Sequence, residues 1–266
     1  MDGITAIASG ETAVLVLEHV SSELKDFLKE RLAAFCHGSA LVAEDADYYS
    51  FAGTITEFLR RYDTKPLATR IGMAGELAIH AMMPSSHPSL SSCAVFFNKE
   101  ERSIKKGFDL TFHETGTETV WYAEVKSGET HNGETVDDKS SSLLKTAAAD
   151  IAGKLSQDAQ RSRWDAAIID AGLTLESRAA TSVKALLRSD SNELVGTNAT
   201  GKKSVVLAAT VLHSPGHCQL SAEAAADVSK KIADSGSFKQ TRVLVFQQEE
   251  LNTIVGFLRA ELTQGA

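Results

Sequence analysis

Strict alternation of apolar and polar residues dominates the middle of the chain. Phe108, Leu110 and Phe112 alternate with Asp109, Thr111 and His113; Trp121, Ala123 and Val125 alternate with Tyr122, Glu124 and Lys126. A period of two predicts strands with one apolar face, and the Gly-containing break at 115–118 predicts a hairpin between them. With a two-residue loop at Gly116-Thr117, glycine first as a type II′ turn prefers, Asp109 lies opposite Glu124, Leu110 opposite Ala123 and Phe112 opposite Trp121. A loop at Thr115-Gly116 shifts the register by two and keeps the faces, because only an odd slip inverts them. In both registers Asp109, Glu124 and Lys126 share one face.

The pattern outside the hairpin predicts a short strand over 12–18 and a helix from Ser21-Ser22 with the stripe Leu24, Phe27, Leu28 and Leu32. A second helix covers 51–62, and a third opens at Pro66 and runs to Met83, where Pro84 and Pro88 break the chain. A strand over 94–97 precedes the hairpin, and a polar loop over 127–140 follows it. Helices are predicted over 140–160, with Leu143, Ala147, Ile151 and Leu155 on one face, and over 164–188, interrupted near Gly172. A polar loop over 189–204 leads to strands over 204–212 and 241–247, which alternate with helices over 221–233 and 249–262. This order predicts an α/β fold, a mixed sheet flanked by helices. Residues 1–65 form an N-terminal strand and a mainly helical extension of the domain over 66–266, the two making one compact unit.

The 266 residues, 43% hydrophobic and 23% charged, fit an ordinary globular protein. No apolar run approaches the ~20 residues that span a bilayer, and the start Met1-Asp2-Gly3-Ile4-Thr5 has no signal-peptide character. Three cysteines without regular spacing, Cys36, Cys93 and Cys218, fit a reducing, cytoplasmic setting. The net charge of −8 excludes unaided nucleic-acid binding over a broad surface, since phosphate contacts dominate such affinity. The best local basic patch is Lys99, Arg102, Lys105 and Lys106, interleaved with Glu100 and Glu101.

Directly opposed strand residues place their Cβ atoms about 4.5–5.5 Å apart, so Asp109 and Glu124 are positioned to share one divalent ion, with the Lys126 amine beside them. Such a set suits metal-assisted cleavage of phosphodiesters. The bland alternative is a surface hairpin with one wet face. Spacing alone decides little: Asp2 with Glu23-Leu24-Lys25 nearly fits, yet falls where the period is helical. Trp121, Tyr122, Ala123 and Val125 make the strand around Glu124 read as central, and a buried carboxylate there demands a cation. Glu76, in a helix apolar on nearly all sides, either joins that carboxylate shell, orients Lys126, or pairs with Arg70. Lys145 and Lys154, on the helix after the hairpin, either reach a phosphate or are solvated. His213, His217 and Cys218 around Pro215-Gly216 lack a fourth metal ligand and read as a turn.

Gly-Phe-Asp109, the hairpin, and Ala-Glu124-Val-Lys126-Ser, preceded by Gly-Glu76-Leu and followed by a helix, resemble the PD-(D/E)xK nuclease superfamily. More narrowly, from about Ile71 to the C-terminal strand and helix, the chain resembles the HamA family, the nuclease subunit of Hachiman anti-phage systems, and its AbpA-like relatives. Phe108 stands where the superfamily's name has proline, and no Gln-x-x-x-Tyr element follows the hairpin, which argues against the RecB-like branch. The resemblance implies a restriction-endonuclease-like core, Mg2+ (or Mn2+) as cofactor, DNA as substrate and a HamB-like helicase as partner. It also implies Asp109 and Glu124 as metal ligands with the Val125 carbonyl, and Lys126 as the amine that acts on water or phosphate. Two other readings share the same fold: an inactive adaptor for a helicase, and a sequence-specific restriction endonuclease.

Overall fold

The longest uninterrupted apolar runs lie in the parallel centre of one sheet, where helices must cover both faces. The computed structural model describes residues 1–97, 107–156, 161–194 and 202–264. In chain order the elements are β1 (Ile4–Ser9), β2 (Thr12–Leu17), α1 (Ser22–His37), α2 (Ser39–Glu44), α3 (Phe51–Asp63), α4 (Leu67–Ser86), β3 (Leu90–Ser92), β4 (Leu110–Glu114) and β5 (Val120–Glu129). They continue with α5 (Val136–Lys154), α6 (Arg161–Thr174), α7 (Ser177–Leu194), β6 (Ser204–Leu212), α8 (Ala222–Asp234), β7 (Gln240–Gln248) and α9 (Asn252–Gln264). Among the described residues the strands form one seven-stranded mixed sheet in the order β1-β2-β7-β6-β5-β4-β3. β2, β7, β6 and β5 run parallel, and β1 and the β4–β3 pair are antiparallel to their neighbours.

Alternate residues of the central strands feed two cores. Ala123, Val125, Val206, Ala208, Leu244 and Phe246 pack against α1, α3, α4 and α9. Tyr122, Val205, Leu207, Val243 and Val245 pack against α5, α6, α7 and α8. The α4 layer approaches the sheet closely at Gly75: a Cβ there would lie 1.9 Å from Ser127 Oγ and 3.1 Å from Thr210 Cβ. No described helix is long and apolar enough to cross a membrane.

The hairpin has the expected register, Leu110 opposite Ala123 and Phe112 opposite Trp121. Its loop is longer than two residues. The last pair is Glu114 with Thr119, and Thr117 N–H donates to Glu114 O, so the tight turn centres on Thr115-Gly116 with Gly116 at φ +83°. Phe108 does not continue the Leu110 face: it precedes the strand and packs on Tyr122 and Trp164, ring centroids 4.5 and 5.2 Å away.

Other boundaries also move. Residues 94–97 are not a strand; Phe96 and Phe97 donate their N–H groups to Phe35 O and Cys36 O at the end of α1. The polar stretch after the hairpin is mostly ordered structure, because β5 extends to Glu129 and a Thr135 capping box starts α5 at Val136. That leaves only 130–135 as a loop, at the end of α5 remote from Lys154. α4 continues through Pro84 to Ser86, and α7 extends to Leu194. The N-terminal segment is less of an extension than the helical pattern suggests. β2 pairs with β7 inside the sheet, and β1, exposed at the edge beyond Ile4, adds a strand without an apolar signature.

Candidate functional site

Glu124 lies in the middle of β5, between β6 and β4, and is 1% exposed. Its side chain leaves the sheet on the face covered by α5. Burial, then the nearby Asp109 charge, push its carboxyl above the ordinary glutamate value, against the pull of Lys154 and Lys126. Each carboxylate oxygen meets one ammonium: Oε1 accepts from Lys126 Nζ at 2.8 Å and Oε2 from Lys154 Nζ at 2.5 Å.

Asp109 comes to Glu124 by a different route from a cross-strand pair. β4 begins at Leu110, so Asp109 stands just before the ladder, half-buried. Its Oδ2 accepts the Val125 N–H at 2.8 Å, taking the place of a strand neighbour beyond the last Leu110–Ala123 pair. A strand residue directs its N–H and C=O to the same edge, so the Val125 carbonyl also lies on the Asp109 side of β5. Asp109 Oδ1 accepts from Lys154 Nζ at 3.2 Å. One ammonium therefore touches both carboxylates.

Lys126, two residues beyond Glu124 on the same face, also pairs with Asp150 of α5 at 2.7 Å. Burial works against the Lys126 cation, but hydrogen bonds to Asp150 and Glu124, with the charges of Glu124 and Asp109, hold its ammonium above the ordinary lysine value. Asp150 and Lys154 are four residues apart on one face of α5, beside the buried Ala147 and Ile151 that fix the helix on the sheet. Arg163 of α6 donates to Lys154 O at 3.0 Å and secures the end of α5.

The structure thus brings together Asp109, Glu124, Val125, Lys126 and Lys154, and adds Asp150, which the sequence reading did not single out. The i,i+4 spacing of Asp150 and Lys154 on the helix after the hairpin was the available signal. Glu76 starts from the other layer. α4 packs on the Trp121–Ala123–Val125 face, Glu76 is half-buried in that layer, and the Lys126 ion pairs are with Glu124 and Asp150. Lys145 is exposed, nine residues before Lys154 and so about 13 Å away along α5 and half a turn round it. It lines a groove with Val228, Lys231 and Phe238 of the α8 side. Lys105 and Lys106, with Lys99 and Arg102, lie outside the described residues.

His213 and His217 face each other with ring centroids 6.4 Å apart, His213 Nδ1 bonds Thr130 Oγ1 at 2.8 Å, and Cys218 is exposed. No group of three or more His, Cys, Asp or Glu side chains forms a ready metal cage among the described residues. The near-match at Asp2 is also explained: its carboxylate faces His19, while Glu23 accepts the Asp2 backbone N–H at the start of α1.

A family model described as HamA matches residues 10–260. The chain belongs to the HamA family. That membership places it among the components of Hachiman anti-phage defence. No curated protein and no solved structure matches it. The matched span runs from before β2 into α9, so every charged residue of the Glu124 cluster falls within it.

Proposed function

We propose that the chain is a Mg2+-dependent deoxyribonuclease with a restriction-endonuclease-like core, the effector subunit of a helicase-associated defence system. One observation carries the reading: Asp109 Oδ1 and Glu124 Oε2 converge on a single cation, with a second amine, Lys126, on the other Glu124 oxygen. The donor set fits a small hard cation. Mg2+ is held through one or two carboxylates and keeps several waters, so a full protein cage is unnecessary; Mn2+ takes the same donors.

Asp109, Glu124 and the Val125 carbonyl would hold the ion. Bound there, Mg2+ supplies Lewis acidity toward a phosphate oxygen and toward water. Asp109 is kept in place by the Val125 N–H, and Glu124 by its position in a central strand. Lys126, anchored on Asp150, sets a fixed positive charge beside Glu124, where it offsets negative charge building on a phosphate. With a net charge of −8, the chain gains little general attraction to DNA, so a HamB-like helicase would hold the substrate.

The adaptor reading also has one observation in its favour: Lys126 and Lys154 of the chain itself pair with both carboxylates. Degradation of plasmid and linear DNA by the purified protein in Mg2+, alone and with the helicase, separates the two. Loss of cleavage in Glu124→Gln and Lys126→Met supports the nuclease. Cleavage unchanged in both variants rejects the site, and no cleavage by the wild type under either condition favours the adaptor. Discrete plasmid fragments would instead mark a restriction-type enzyme.

A further inference from the structure

We propose that Lys154 is an internal counter-ion: its ammonium occupies the cation position between Asp109 and Glu124 and has to vacate it before a divalent ion can bind. The inference rests on the metal-site reading above and adds the residue that controls access to it. The four carboxylate oxygens have distinct positions. Asp109 Oδ2 faces the Val125 N–H and Glu124 Oε1 faces Lys126, contacts that hold the two side chains in place. The other two, Asp109 Oδ1 and Glu124 Oε2, both face Lys154, at 3.2 and 2.5 Å. An ion bridging the carboxylates without disturbing the anchoring contacts would take those same two oxygens. Lys154 and the ion therefore compete.

The geometry also lets Lys154 leave without disturbing the fold. It is the last residue of α5, its carbonyl is pinned by Arg163, and its side chain is 22% exposed on a flexible four-carbon stem. Lys126 differs: its second partner, Asp150, keeps it beside Glu124 whether or not Lys154 moves. A charged ammonium in the ion's place also satisfies two clustered carboxylates that would otherwise repel each other in a buried setting.

Calorimetric titration of Mn2+ into the full-length protein tests this, comparing wild type with Lys154→Met, Lys154→Arg and Glu124→Gln. Lys154→Met should bind Mn2+ about tenfold more tightly, equivalent to about 1.4 kcal/mol. Lys154→Arg, which keeps the charge, should stay near wild type, and Glu124→Gln should abolish binding. Melting curves with and without Mn2+ give a second readout, since a tighter ligand raises the melting temperature further. If Lys154→Met fails to fold, Lys154→Gln carries the same expectation. Equal or weaker binding by the Met or Gln variant, with wild-type binding intact, overturns the counter-ion and leaves the metal site standing. No binding by any chain, including the one with the competitor removed, overturns both.

Discussion

Asp109 combines two roles that one pair of substitutions separates. Its Oδ2 accepts the Val125 N–H at 2.8 Å where β4 has ended and no strand neighbour is available, and its Oδ1 carries charge toward the proposed ion position. Asp109→Ala removes both. The Val125 amide, in a buried residue, then lacks that acceptor, and an unsatisfied buried donor costs about 1–3 kcal/mol. For a chain of this size each kcal/mol lowers the melting temperature by about 2–4 °C, so Asp109→Ala should melt about 2–12 °C below wild type. Asp109→Asn keeps an oxygen to accept the amide and gives up the charge, so it should melt within about 2 °C of wild type. On the proposed nuclease reading, both variants should lose Mg2+-dependent DNA cleavage. Circular-dichroism melts and a fluorescent DNA-cleavage assay on the same preparations decide the matter. Equal melting temperatures for the two variants would refute the structural role of the Val125 contact. Retained cleavage in Asp109→Asn would refute the requirement for charge.

Two further outcomes test the frame around the site. Tyr122 donates to Asp190 Oδ2 at 2.6 Å and accepts from Trp164 Nε1 at 3.2 Å, so Tyr122→Phe removes a hydrogen bond to a charged group and strands a buried indole N–H. The cost should be about 2–4 kcal/mol in urea unfolding, with cleavage retained on the proposed reading because the Tyr122 hydroxyl bonds Asp190 and Trp164 rather than the Asp109–Glu124–Lys126 set; unchanged stability would sink this account. Glu114, at the hairpin turn, is disfavoured as an anion by burial, but its hydrogen bond to Arg242 at 2.6 Å and the Arg242 charge outweigh that and hold its carboxyl below the ordinary 4.5. A lowered carboxyl value means the unfolded chain binds more protons, so this stabilisation is full above about pH 4.5 and is lost as pH falls through the folded value. Glu114→Gln should therefore cost about 1 kcal/mol at neutral pH and progressively less as pH falls below 4.5; a stability gap that does not change with pH contradicts the linkage.

The hairpin was legible because its alternation constrains everything but a two-residue slip, and such a slip leaves the faces unchanged. The same reasoning failed at Phe108, where the strand has not yet begun and alternation no longer assigns a face. β1 was invisible for the opposite reason: an exposed edge strand has no buried side to leave a period. Glu76 illustrates a third limit. Its apolar neighbours mark a buried helix, but only the strand order shows that α4 and α5 cover opposite faces, which separates Glu76 in layer from Glu124. Asp150 and Lys154 were legible in principle, since the Ala147–Ile151 stripe orients α5 and places both at its border. They also change the chemistry of the site. Two acids with one lysine describe a site open to a cation. Two acids clamped by a lysine on each side describe one paired from within its own chain, in which, on the counter-ion proposal, a divalent ion would have to displace an amine from α5. On that proposal, control of the site would lie at the α5–α6 junction, where Arg163 donates to the Lys154 carbonyl, as much as at the hairpin that supplies the acids.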